Sequence, residues 1–186
     1  MLSNLKKHGD IQMVVGPMFS GKSTEVIRRV RKYRAAKREV LVVKYAADTR
    51  YSAECLATHD RSNMEAVSTS TLEQINYLVT DNISVIAVDE GQFYSDIVKY
   101  AELWANSGKT VIISALDGTW QRKPFACISE LMSLADSVEK LTAVCYKCQE
   151  TAPFSARITQ ETEEVVIGGA DKYVACCRKG WMELQK

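Results

Sequence analysis

The sequence predicts an α/β fold centred on a mainly parallel sheet. Three observations carry this. Short apolar runs alternate along the chain with stretches of helical periodicity, and no repeat interrupts them. Several of those runs are continuous rather than alternating, which marks strands buried on both faces. The first run, at 11–15, leads into Gly16-Pro17-Met18-Phe19-Ser20-Gly21-Lys22-Ser23 and then into an amphipathic stretch. That is the strand–loop–helix unit of a phosphate-binding loop.

The loop's chemistry follows from its residues. Backbone N–H groups turn inward around a phosphate, and the new helix presents its positive dipole end to the same anion. Gly16 and Gly21 permit close backbone approach. Lys22 supplies a point charge for the β- and γ-phosphates, and the Ser23 hydroxyl suits Mg²⁺. In the helix that follows, Val26, Ile27, Val30 and Tyr33 make the apolar stripe. The basic residues from Arg28 to Arg38 read as its solvated face rather than as a nucleic-acid footprint.

A second strand is expected at 40–45. The polar stretch 46–61 has weak periodicity and reads as a loop or lid; it contains His59, one of two histidines and read, like His8, as a surface residue. A short helix follows at 72–78 and a third strand at 84–88. A helix at 96–106 stops near Gly108, and 110–116 is a fourth strand. The stretch 117–125 is a loop, a helix runs to about Ala135, and 138–144 reads as one further strand. After Val144, cysteines and turns replace long helices. The expected division is therefore a nucleotide-binding part at 1–144 and a small part at 145–186, in which 156–159 and 164–167 pair as a hairpin.

Two constellations carry further chemistry. The strand at 84–88 ends in Asp89-Glu90-Gly91-Gln92-Phe93. A carboxylate at that strand end suits Mg²⁺, and its neighbour suits a base that takes a proton from a hydroxyl or orients water. The residues alone leave kinase and ATPase both open. In the tail, Cys145-x-x-Cys148 has zinc-knuckle spacing, but the counterpart after Cys177 has Gly180 where a second C-x-x-C needs cysteine. Cys145, Cys148 and Cys177 are the expected ligands. Cys176, water or another group is then the fourth, or the site is weak or empty. Cys55 and Cys127 read as plain thiols.

Composition narrows the class. The 186 residues are 46% hydrophobic and 25% charged, with net charge +1, which speaks against polymeric nucleic acid as the partner. No stretch reaches the ~20 apolar residues of a membrane span. Without an export signal the cytoplasm is the expected location, and six cysteines there suggest thiols or metal ligands rather than disulfides.

Taken together the segments resemble the thymidine kinases of the cytosolic and poxviral type. The match rests on residues 16–23, Lys-Tyr-Ala-Ala-Asp-Thr-Arg-Tyr at 44–51, Thr-His-Asp-Arg at 58–61, Asp-Glu-Gly-Gln-Phe at 89–93, residues 115–125, Cys-x-x-Cys at 145–148, and Ile-Gly-Gly-Ala-Asp-Lys-Tyr at 167–173. The resemblance implies a RecA-like phosphate-loop domain and a small zinc-containing lasso domain. It implies transfer of the ATP γ-phosphate to the 5′-hydroxyl of thymidine. Glu90 would be the base. The loop 16–23, Asp48, Thr49, Arg50 and Asp89 to Gln92 would serve ATP and Mg²⁺. Met18, Leu116, Trp120 and Phe125 would line the base pocket. Glu164, Val165, Val166, Ile167 and Gly168 would wrap the nucleoside through their backbone, and Tyr173 would close over it. A homotetramer and feedback by thymidine triphosphate are also implied. The chain departs from the family at Trp120, where phenylalanine is usual, and at Gly180.

Overall fold

The computed structural model describes residues 8–47, 55–57, 63–163 and 166–185. Strand β1 is Asp10–Val15, followed by helix α1, Lys22–Ala35, and by β2, Glu39–Tyr45. Three short strands come next: β3 (Cys55–Ala57), β4 (Asn63–Glu65) and β5 (Val67–Thr69). A 3₁₀ turn at Glu73–Leu78 precedes β6 (Ile83–Val88), and another, Gly91–Phe93, precedes α2 (Ile97–Asn106). Then come β7 (Thr110–Ala115), α3 (Ala126–Leu134) and β8 (Ser137–Lys140). The tail holds β9 (Ala143–Val144), β10 (Thr151–Ala152), β11 (Phe154–Arg157), β12 (Tyr173–Cys176) and α4 (Arg178–Leu184).

The main sheet has six strands in the order β5-β2-β6-β7-β1-β8, and every pair in it is parallel. Both faces are covered, which explains the continuous apolar runs. In β6, Ile86 and Val88 point to the side packed by Tyr100, Trp104, Ile128 and Leu131 of α2 and α3. Val85 and Ala87 point to the opposite side, against Val26, Ile27 and Val30 of α1. The Trp104 indole N–H donates to Asn76 Oδ1 (2.9 Å), and the Asp96 carboxylate accepts from the N–H groups of Leu72 and Glu73. The basic face of α1 is partly paired: Glu25 takes both Arg28 and Arg29, and Arg29 also meets Glu139.

Three expectations change in detail. The segment 72–78 winds as 3₁₀, closed by Ile75 N–H to Leu72 O and Val79 N–H to Asn76 O. The single strand expected at 138–144 is two. Lys140 stands opposite Val15, and beyond Val15 strand β1 offers no further partner. After Leu141 N–H donates to Val15 O, the chain leaves the sheet, and β9 pairs with β10 instead. The hairpin expected between 156–159 and 164–167 is also replaced. Strand β11 pairs antiparallel with β12, Phe154 opposite Cys176 and Arg157 opposite Tyr173. That register buries Ala156, Ala175 and Cys176 in one small cluster. The chain turns into β12 where Gly169 O accepts from the N–H groups of Lys172 and Tyr173.

Candidate active site

The phosphate-binding loop leaves β1 at the C-terminal edge of the sheet. Gly16 adopts φ 150°, and a Cβ on it would lie 2.5 Å from Leu141 O. Gly21 adopts φ 83° at the N-cap of α1. Both positions therefore require glycine. Lys22 is only 8% exposed, and its Nζ donates to Pro17 O (2.7 Å), so the ammonium lies across the loop. Ser20 Oγ donates to the same carbonyl (2.8 Å). Phe19 takes a left-handed φ of 64° and packs against the C-terminal cluster. The Met18 N–H donates to Ser155 Oγ of β11 (2.9 Å), tying the loop to the tail.

Strand β7 lies between β1 and β6, and Ser114 near its C-terminal end reaches Asp89. Asp89, 5% exposed, accepts from Ser23 Oγ at Oδ2 (2.9 Å) and from Ser114 Oγ at Oδ1. Burial, and then the charge of Glu90, push the Asp89 carboxyl up to about 6, against the pull of those hydroxyls and of Lys22. A buried carboxylate held by a hydroxyl from the phosphate-binding loop is a donor set that suits Mg²⁺.

Glu90 is left-handed, φ 54° and ψ 45°. For a residue with a side chain this costs about 1–3 kcal/mol, and here it turns the carboxylate off the strand. Gly91 opens the 3₁₀ turn. The Gln92 amide bridges two groups: Nε2 donates to Glu90 Oε2 (2.6 Å), and Oε1 accepts from the Leu116 N–H (3.0 Å). Glu90 is thereby fixed relative to the end of β7.

Beside Glu90 lies a cavity with mostly apolar and aromatic walls. The phosphate-binding loop contributes Met18, and the connection after β7 contributes Leu116, Trp120 and Phe125. The tail contributes Val166, Ile167, Gly168 and Tyr173. Every described residue expected to line a base pocket is brought here. Phe93, Gly118, Thr119 and Ser155 also line it and were not expected. The expected residues Asp48, Thr49, Arg50, Glu164 and Val165 lie outside the described residues, as does the 58–61 stretch with His59.

Arg157 holds the cavity's outer wall. It is 5% exposed, and its Nη1 donates to the carbonyls of Glu161 and Glu163. Nη2 donates to the Tyr173 hydroxyl (2.8 Å), which in turn donates to Val166 O (2.7 Å). The guanidinium carbon lies 4.8 Å from the Trp120 ring centre. The Trp181 indole N–H, from α4, anchors Trp120 at its carbonyl (2.8 Å).

Below this wall the sulfurs of Cys145, Cys148 and Cys177 lie within 4.8 Å of one another, with Cys148 to Cys177 at 3.7 Å. Tetrahedral zinc with Zn–S bonds of about 2.3 Å sets its sulfurs about 3.8 Å apart, so the three fit a zinc ion. Burial raises the Cys145 thiol, but the backbone N–H groups of Cys148, Cys177 and Lys147 outweigh it and hold the thiol at about 6, ready to bind as thiolate. Cys176 turns away, its sulfur toward Phe154 O (3.7 Å), and burial pushes its thiol up to about 11.

The thymidine kinase family profile matches residues 9–181. The chain is 55% identical over 171 residues to the thymidine kinase of raccoon poxvirus, covering 92% of this chain and 96% of that one. It is 53% identical over 173 residues to the cytosolic thymidine kinase of Homo sapiens, covering 93% of this chain and 73% of that one. To the thymidine kinase of vaccinia virus (strain Western Reserve) it is 51% identical over 175 residues, covering 94% and 98%.

Proposed function

The chain belongs to the thymidine kinase family, and on that premise we propose that it transfers the γ-phosphate of ATP to the 5′-hydroxyl of thymidine. The observation that carries this is the position of Glu90: it lines an aromatic-walled cavity together with Met18 of the phosphate-binding loop. A flat pyrimidine fits between Phe125, Trp120 and Tyr173, and backbone groups at 166–168 read its edge. Glu90 accepts the proton of the 5′-hydroxyl as that oxygen bonds to the γ-phosphorus, and the bond to the β-phosphate oxygen breaks to release ADP. Lys22 and the loop 16–23 hold the phosphates, with Asp48, Thr49, Arg50, Gly91 and Gln92 in the same nucleotide-binding role. Ser23 and Asp89 hold Mg²⁺, which offsets phosphate charge when bound. Zinc on the three thiols is structural. Glu164 and Val165 extend the wrap around the nucleoside.

Thymidine triphosphate has both halves of what this site accepts, a base for the cavity and a triphosphate for the loop, and we assign it the role of feedback inhibitor. The family likeness supports a homotetramer acting in the cytoplasm. The test is phosphate transfer from ATP–Mg²⁺ to a panel of nucleosides by the wild type and Glu90→Gln. Thymidine should be phosphorylated by the wild type, and the variant should lose about 10²–10⁴-fold in rate while still binding ATP. ATP hydrolysis with no nucleoside product would sink the assignment.

A further inference from the structure

The zinc-knuckle spacing is complete at Cys145-x-x-Cys148 and broken at Cys177-x-x-Gly180. The structure shows what the break leaves. Gly180 is buried in the first turn of α4, and its N–H donates to Cys177 Sγ (3.3 Å). A Cβ on Gly180 would stand 3.5 Å from Cys145 Sγ, 3.5 Å from Cys176 Cβ and 3.6 Å from Cys177 Sγ. These are ordinary contact distances, so a Cβ fits there beside the thiols. Cys176 does not take that place. Its sulfur lies against Phe154 O instead (3.7 Å). Among the described residues, the cluster of metal-ligating atoms consists of Cys145, Cys148 and Cys177 alone. Cys148 is exposed, so solvent reaches the cluster.

Closed structural zinc sites use four protein ligands, whereas three protein ligands leave a position for water or an outside molecule. We propose that this site holds zinc through three thiolates and keeps an exchangeable fourth position on the Gly180 side, occupied by water and open to small thiols. Sulfur is a preferred donor for zinc. A small thiol gives its proton to solvent, and its sulfur replaces the water, with no change of oxidation state. The proposal is independent of which acceptor the kinase site uses.

The experiment uses the full chain with Co²⁺ in place of zinc, read by visible absorption, and zinc affinity by chelator competition. The wild type should show the charge-transfer intensity of three thiolates, and its ligand-field bands should shift when 2-mercaptoethanol is added. Gly180→Cys should gain about one third in charge-transfer intensity, stop responding to added thiol, and bind zinc at least about tenfold more tightly. Cys176→Ser should leave the wild-type spectrum and thiol response unchanged. Four-thiolate intensity in the wild type, no response to thiol, a changed Cys176→Ser spectrum, or failure to bind cobalt and zinc would each overturn the proposal.

Discussion

At the scale of single residues, Asp89 is a buried carboxyl held at a cost. Its carboxyl is raised from 3.8 to about 6 by burial and by Glu90. Between those values the folded chain holds a proton that the unfolded chain has released. Stability therefore falls as pH rises through this window, and the loss is complete above about 6. The difference corresponds to roughly 3 kcal/mol at most. Asp89→Asn should then stabilise the nucleotide-free protein by about 1–3 kcal/mol at pH 7.5, with the gain disappearing toward pH 4, while phosphate transfer collapses. Urea melts at the two pH values measure this. An asparagine variant less stable than wild type at pH 7.5 would contradict it. Asp89 and Glu90 are legible in the sequence because an apolar strand ends in them. Ser114, which donates to Asp89, is not legible: a serine inside a strand run looks like any other. Only the sheet order, with β7 between β1 and β6, brings its hydroxyl to the carboxylate. Ser155 is hidden for the same reason, since 137 positions separate it from the Met18 N–H that it receives.

At the scale of elements, the buried strands are readable because both faces of the sheet are covered, and β6 and β7 fall within a residue of their apolar runs. Pairing in the tail is not readable. Segments 156–159, 164–167 and 173–176 are all short, and local pattern does not say which two join. Burial of Ala156 with Ala175 decides it in favour of β11 and β12. The connection 158–172 then depends on Arg157, whose guanidinium holds the carbonyls of Glu161 and Glu163, the Tyr173 hydroxyl and the face of Trp120. Methionine at 157 would keep most of the bulk and none of these hydrogen bonds. Arg157→Met should raise the KM for thymidine about ten- to hundredfold, with the KM for ATP changing by less than about threefold. Arg157→Lys should fall between, since one ammonium cannot span the same partners. Steady-state kinetics with each substrate varied in turn gives the split. An unchanged thymidine KM in Arg157→Met would remove Arg157 from the positioning of the pocket.

At the scale of the whole molecule, stability is unevenly distributed. The two faces of the six-stranded sheet are packed with large side chains, Trp104, Tyr94, Ile86 and Leu131 on one and Ile27, Met64 and Ile112 on the other. The tail buries Ala143, Ala152, Ala156 and Ala175 with Cys145 and Cys176, and its larger side chains, Phe154, Val174, Trp181 and Leu184, are only partly buried. At about 25 cal/mol per Å² of buried apolar surface, these small and partly buried groups contribute less than the core of the sheet, so a zinc ion on the three thiols would stabilise the tail far more than the sheet. The tail also reaches the phosphate-binding loop, through Phe19 and through the bond from the Met18 N–H to Ser155. Stripping metal from the three thiols with a chelator should therefore loosen the tail first and disturb the cavity beside Glu90, while the parallel sheet persists. Amide hydrogen exchange should show at least about tenfold loss of protection at 143–157 and 173–184. Strands β6 and β7 should change by less than about threefold, and binding of thymidine should weaken more than binding of ATP. Re-addition of zinc should restore both. Equal loss of protection in β6 and β7 would mean that the thiol site stabilises the entire chain as one cooperative unit. The small alanine cluster would then be an integral part of the main core, and its dependence on metal would extend to the phosphate-binding loop itself.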